Sequence, residues 1–254
     1  MKSIDKFTDK AEVYAKYRPP SYPSVYIEYL ISEADLNENC MIADIGSGTG
    51  ILSRQLLDKG FTVIGGVEPN DDMRTLAEQT LKPDSHFISV DAVAEKTTLN
   101  DSSLDLITVA QAFHWFDIEQ FRLECQRILK QDANVNLVWN SRDGASDINK
   151  ESADICQRYC PNFKGFSGGI EETPIPFQDF FRDGKYDFKN FRNDLQLNLI
   201  GFLGRYLSAS YSPPKKTDKE YNPFISALSN LFEKYSNNGN IVIPNITRSY
   251  LGQV

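Results

Sequence analysis

Histidine is nearly absent from this chain, with His86 and His114 the only two in 254 residues. Zinc is held by clustered histidine and cysteine, and the four cysteines, Cys40, Cys125, Cys156 and Cys160, are too scattered to build such a site, so no metal is expected. They are also too few for a disulfide framework. Cys156 and Cys160 stand four apart and read as buried thiols on one helix face. Positive charge is scarce as well: a net charge of −8 argues against nucleic acid as a partner, because that affinity comes from Lys and Arg displacing counterions. The Lys215–Lys216 pair after Pro213 and Pro214 reads as a solvated turn. No apolar stretch approaches the roughly 18 residues of a membrane helix, so no membrane partner is expected. The opening "MKSIDKFTDKAEVYAKY" interrupts any apolar region with charges and does not read as a signal peptide. The expected compartment is cytoplasmic, the expected state a monomer or homodimer, and no internal repeat is visible.

What is present suits one folded domain with a lid. Hydrophobic residues make up 41% and charged residues 24% of the chain, the balance of an ordinary globular protein, and a chain of this length buries roughly three quarters of its unfolded surface. From Met41 to Asn140, the apolar runs "MIADI", "TVIGGV", "HFISV", "LDLITVA" and "NVNLVW" have the length and Val/Ile content of strands buried on both faces. Between them lie helical stripes: Leu52, Leu56 and Leu57; Met73, Leu76, Ala77 and Leu81; then Ile118, Phe121, Cys125, Ile128 and Leu129. Asp117 and Gln120 form a capping-box pattern at the start of the third. Strands alternating with helices predict an open, doubly wound, mostly parallel α/β sheet with helices on both faces, and a ligand crevice at the carboxyl ends of its strands. Beyond Asn140 the period fades. Residues 141 to 192 read as a partly ordered lid, Leu195 to Tyr206 and Phe224 to Tyr235 as helical stripes, and "IVIPNITRSYLGQV" as a closing strand. The expected organisation is an N-terminal cofactor-covering arm over 1–30, a Rossmann-like core over 31–140, and lid, helices and closing strands of the same domain over 141–254.

Gly46, Gly48 and Gly50 follow the first strand and open the first helix, where a missing Cβ lets backbone approach a ligand closely. The spacing is D-x-G-x-G-x-G from Asp44, not the G-x-G-x-x-G of a pyrophosphate site. Glu68 ends the second strand, where its two oxygens suit the vicinal hydroxyls of a ribose. "SVDA" ends the third with Asp91 and Ala92, a carboxylate and an amide suited to the amino edge of adenine. "AQAFHWFD" ends the fourth and carries Gln111 to Trp115. Tyr14, Tyr17 and Arg18 precede Pro19, which stops any helix there.

The segments "YAKYRPPSYP", "ADIGSGTGILSRQL", "GVEPNDDMR", "VDAVAE" and "AQAFHWFD" resemble the class I S-adenosylmethionine-dependent methyltransferases, in particular the type 11 small-molecule branch with its trans-aconitate methyltransferase-like members. The resemblance covers roughly residues 10 to 140. It implies a seven-stranded sheet with an antiparallel last strand, S-adenosylmethionine as cofactor and a small-molecule methyl acceptor. It implies further that Asp44, Gly46 and Gly48 line the methionine part, Glu68 holds the ribose, Asp91 and Ala92 the adenine, and Gln111 the sulfonium end, with Arg18 covering the cofactor's carboxylate and Tyr17, Ser47, Pro69 and Ala112 as further cofactor-binding residues. His114 is the candidate base or acceptor contact, and Trp115 a candidate aromatic wall beside it; Phe113 reads equally well as wall or core. A Pro-Pro-aromatic signature after the fourth strand, a Pro-Cys nucleophile and an acidic metal ligand at position 111 are all missing, which sets aside nucleic-acid and catechol-type chemistry. Two other readings stay open: a protein that binds the cofactor without catalysis, and a nicotinamide-dependent oxidoreductase, which the glycine spacing disfavours.

Overall fold

The computed structural model describes residues 21–81, 83–166, 177–209, 211–213 and 218–254. The apolar runs form strands β1 (Met41–Ile45), β2 (Thr62–Val67), β3 (Phe87–Val90), β4 (Leu104–Ala110) and β5 (Leu129–Arg142). Helices α1 (Ser24–Glu33), α2 (Ile51–Leu57), α3 (Asp71–Leu81) and α4 (Ile118–Ile128) precede or separate them. Downstream come α5 (Asp147–Tyr159), the one-turn α6 (Phe177–Phe180), β6 (Asp187–Arg192), β7 (Leu195–Asn198), α7 (Leu199–Leu207), α8 (Tyr221–Tyr235), β8 (Asn240–Ile243) and β9 (Asn245–Gly252). No helix among the described residues is long and apolar enough to cross a membrane.

The main sheet has seven strands in the order β3-β2-β1-β4-β5-β9-β6. Strands β1 to β5 pair in parallel, while β9, last in the chain, lies antiparallel between β5 and β6. The winding reverses between β1 and β4, so the loops after these two strands splay apart and leave a crevice at their carboxyl ends. One core packs Ile45, Phe113, Phe121 and Trp139 on one face of the sheet; the other packs Tyr26, Leu30, Leu56 and Val63 on the opposite face. Helix α1 buries Tyr26, Ile27 and Leu30 in that second core, so the chain joins the folded body before the 30/31 boundary expected for the arm.

A third cluster, with Phe202, Tyr206, Phe224 and Leu228 at its centre, joins α5, α7 and α8 to the two-stranded β7–β8 sheet. This part of the chain corrects three expectations. The stretch expected to be irregular contains α5, whose buried face is Ile148, Asn149, Ser152 and Cys156; two polar residues within that face conceal its apolar period. Leu195 belongs to strand β7 rather than to a helix, because α7 begins only after Asn198, whose side chain accepts the Gly201 amide at 2.9 Å, an N-cap. The closing strand is two strands, since Pro244 has no N–H to continue a ladder, and the chain moves there from partner β7 to partners β5 and β6. At α4 the Asp117 side chain caps the Gln120 amide at 3.1 Å as expected, while the Asp117 amide donates to Glu95 Oε1 rather than to Gln120.

Phe113 is core rather than wall. It is fully buried, with the ring centroid of Phe180 4.8 Å away and edge-to-face. Phe113→Ala is expected to lower the urea-denaturation stability by about 3–5 kcal/mol, the usual cost of emptying a buried aromatic site.

Candidate active site

Strand β1 ends at a turn that only glycine can make. Gly46 has φ +70°, and a Cβ there would lie 2.5 Å from the Cβ of Ala112 on the loop after β4. Gly48 has φ +57° and nothing within 4 Å of where a Cβ would stand, so it faces open space. The turn leans toward β2: the amides of Gly46 and Ser47 both donate to the Val67 carbonyl, at 2.8 and 3.1 Å. One residue on, Glu68 Oε2 accepts the Gly48 amide at 2.9 Å and Oε1 accepts the Asn70 amide at 2.8 Å across Pro69. The sequence-predicted Gly46, Ser47, Gly48, Glu68 and Pro69 thus form one bonded unit, with Ala112 against it. Burial raises the Glu68 carboxyl above its ordinary range, and the two amides and Arg74 oppose that rise.

Beneath the turn, Asp44 is fully buried. Its Oδ2 accepts from Ser53 Oγ at 2.7 Å and its Oδ1 from Thr108 Oγ1 at 3.0 Å. Both oxygens accept from hydroxyls within the protein, which ties β1 to α2 and β4 beneath the turn. The sequence gives no sign of Ser53 and Thr108 as partners of Asp44, because a hydroxyl on α2 and another on β4 carry no local signal. Arg74 was missed too. Its Nη1 donates to the Glu68 carbonyl at 2.9 Å and lies 3.2 Å from Asp91 Oδ1, and it also pairs with Asp71. Asp91 therefore reaches the Glu68 corner through Arg74, while Ala92 is buried behind it.

On the other side of the crevice, Gln111 has φ +63°. That is a left-handed conformation costing about 1–3 kcal/mol for a residue other than glycine, and such strain concentrates at functional sites. Its backbone amide donates to the Val138 carbonyl at 2.9 Å and its Nε2 to the Asn140 carbonyl at 3.2 Å, which aligns it with the end of β5. His114 and Trp115 stand exposed on the following 3-10 turn with ring centroids 4.4 Å apart. Tyr14, Tyr17 and Arg18 lie outside the described residues. Just after them, the Tyr22 amide and carbonyl both bond the Gln55 side chain on α2, at 2.7 and 2.8 Å.

Residues 43–136 match the family described as Methyltransferase domain, and the match spans the glycine turn, Glu68, Asp91 and Gln111. An uncharacterized methyltransferase of Oceanobacillus iheyensis is 33% identical over 195 residues, covering 73% of this chain and 88% of the relative. The chain belongs to this methyltransferase-domain family. It spans about half the length of the Mycobacterium tuberculosis methyltransferase it also matches, at 33% identity over 139 residues, 55% of this chain and 54% of the relative. Among solved structures, a candidate type II methyltransferase from Anaeromyxobacter dehalogenans superposes with a TM-score of 0.65 at 20% identity, over 92% of this chain and 97% of that one. Haemonchus contortus phosphoethanolamine N-methyltransferase 2, solved with S-adenosylmethionine, gives 0.53 at 17% identity, over 100% of this chain and 61% of that one. Both are likenesses of fold.

Asp44 makes the methyltransferase-domain core sensitive to pH. Burial pushes its carboxyl from an ordinary 3.8 up to about 6, against the opposing hydrogen bonds of Ser53 and Thr108. Between these values the folded chain keeps a proton that the unfolded chain has released, so stability falls as pH rises through that window. The urea midpoint of the parent relative to that of Asp44→Asn is expected to fall as pH rises from about 4 to 6, because only the parent carries this titrating carboxyl.

Proposed function

We propose that this chain transfers the methyl group of S-adenosylmethionine to a small-molecule acceptor by in-line displacement. The observation that carries the reading is the Glu68 carboxylate at the end of β2, joined at 2.9 Å to the Gly48 amide at the end of β1. Each Glu68 oxygen accepts one backbone amide, and a carboxylate oxygen has room for a second donor. Glu68 can therefore take one ribose hydroxyl on each oxygen with its own position already set, and Pro69 flanks it. The open space at Gly48 fits the methionine portion laid along the backbone of Gly46, Ser47 and Gly48. Asp91 and Ala92 are proposed for the adenine, Gln111 and Ala112 for the sulfonium end, and Tyr17 and Arg18 for the carboxylate of the methionine. Asp44 acts from beneath, by holding the turn. The S-adenosylmethionine bound to the structural neighbour from Haemonchus contortus supports the same choice of donor.

The donor supplies a methyl on a sulfonium whose leaving group is a neutral thioether, so the protein need provide no acid. What it provides is alignment, which in well-oriented reactions accounts for about 7–11 kcal/mol of the barrier. The loop after β4, fixed by Gln111, brings His114 and Trp115 to the acceptor side. In this proposal His114 serves as contact or base, as the acceptor requires, and Trp115 limits water.

Glu68→Ala is expected to weaken binding of S-adenosylhomocysteine by about ten- to a hundredfold in isothermal titration, with unchanged circular dichroism, because hydrogen bonds to a charged carboxylate contribute about 1.5–3 kcal/mol. Gly48→Val is expected to abolish that binding, both by filling the space the ligand needs and by straining a backbone held at φ +57°. Unaltered affinity in both variants would place the pocket elsewhere, and a methyl-release assay over a panel of acceptors separates catalysis from binding alone.

A further inference from the structure

Strand β5 runs past the end of β4. Their last pair is Ala110 with Val138, so Arg142 stands four residues further on, about 13 Å at strand rise, above the crevice and beside the third cluster. It is 6% exposed. Burial works against its charge, while Tyr206, Tyr211 and Cys156, none of them a carboxylate, outweigh burial and hold its proton more firmly than usual. A buried cation without a counter-ion is costly, which is why such charges are normally paired. Arg142 is only partly compensated: its guanidinium lies 3.8 Å over the Phe166 ring and 4.5 Å over the Tyr206 ring, and Nη1 alone bonds Tyr206 Oη and, at 3.3 Å, Ser152 Oγ. The remaining edge, Nε and Nη2, makes no hydrogen bond to a described residue, and this is the edge whose parallel N–H groups match two oxygens of one anion.

A second observation points to the same place. Asn245 on β9 pairs directly with Arg142 in antiparallel register, so the two side chains share a face of the sheet. Asn245 is fully buried, and neither Oδ1 nor Nδ2 has a hydrogen-bond partner among the described residues. Buried amides are ordinarily satisfied; one with no described partner, beside a guanidinium whose Nε and Nη2 bond no described residue, marks a place for a polar group from outside the chain.

We propose that Arg142 and Asn245 form an anchor for an anionic group, carboxylate or phosphate, carried by the methyl acceptor at a distance from its reacting atom. Arg142 is then a positioning and specificity residue. The proposal rests on the methyl-transfer reading for what the anchored molecule is, while the anion site itself is tested separately.

Isothermal titration of the full chain with malonate, with inorganic phosphate and with neutral malonamide, each with and without saturating S-adenosylhomocysteine, decides the matter. We expect one of the two anions to bind and malonamide not to; binding of malonate assigns a carboxylate acceptor, and of phosphate a phosphorylated one. Arg142→Met should weaken that anion by about ten- to a hundredfold, Arg142→Lys should recover part of the loss, and both should bind S-adenosylhomocysteine within about twofold of the parent. If Arg142→Met does not fold by circular dichroism, Asn245→Leu carries the test, with a several-fold loss of anion affinity expected. Failure of both anions to bind the parent, or equal binding by the folded variants, would overturn the anchor. Failure of S-adenosylhomocysteine to bind would instead overturn the choice of donor and leave the anion titrations to be read without it.

Discussion

The crevice depends on one buried carboxylate. Asp44 ties three elements together, its own strand β1, helix α2 through Ser53 and strand β4 through Thr108, at 2.7 and 3.0 Å. Each is a neutral hydroxyl donor, so the carboxyl is held without a cation and burial dominates its proton affinity. With those elements fixed, the chain after Ile45 has one exit, past Ala112 on one side and Val67 on the other. Only a residue without a Cβ fits that exit at Gly46. The turn then presents the Gly48 amide to Glu68, so a contact in the core sets the geometry of a carboxylate at the surface of the crevice.

Electrostatics divide the crevice into two halves. On the β2 and β3 side, Glu68 and Asp91 are organised by backbone amides and by Arg74, which bridges the two. On the β5 and β9 side, one face of the sheet carries a polar stripe inside a largely apolar protein. Asn136 accepts from Tyr26 Oη at 2.7 Å and donates to Ser249 Oγ at 2.7 Å. Asn140 accepts from Thr247 and, at 3.0 Å, from Asn193. The stripe ends at Arg142 and Asn245, where the internal pairing stops. In a chain with a net charge of −8, a buried cation at that end gives an acidic protein a local means of holding an anion.

The third cluster is a small core in its own right, built from α5, α7, α8 and the β7–β8 pair. It is attached to the main sheet where β5 leads to α5, where β6 is followed by β7, and at Pro244. Its aromatic residues serve two purposes. Tyr206 is buried among Phe202 and Phe224 and also offers its hydroxyl and ring to Arg142. Packing of this cluster and presentation of the cation are thus coupled through one side chain.

The parallel core was legible in the sequence because each of its strands carries an apolar run and its helices keep a 3.6-residue stripe, periods set by local geometry; Leu129, read with the α4 stripe, instead opens β5, where the next residues are polar and exposed. The glycine turn, Glu68 and the Asp117 cap were legible for the same reason: each is a local solution to a local backbone or hydrogen-bonding need. Tertiary structure decided the rest. Helix α5 was hidden because Asn149 and Ser152 sit on its buried face, where they bond backbone carbonyls at 2.8 to 2.9 Å, and a polar residue that finds such partners leaves no apolar period to read. The division of the closing segment at Pro244 depended on which strands were available as partners. The roles of Ser53, Thr108 and Arg74, and the meeting of Arg142 with Asn245 across 103 residues of chain, come from contacts between elements distant in sequence. A side chain's type states what it can bond, and only the folded chain determines what it meets.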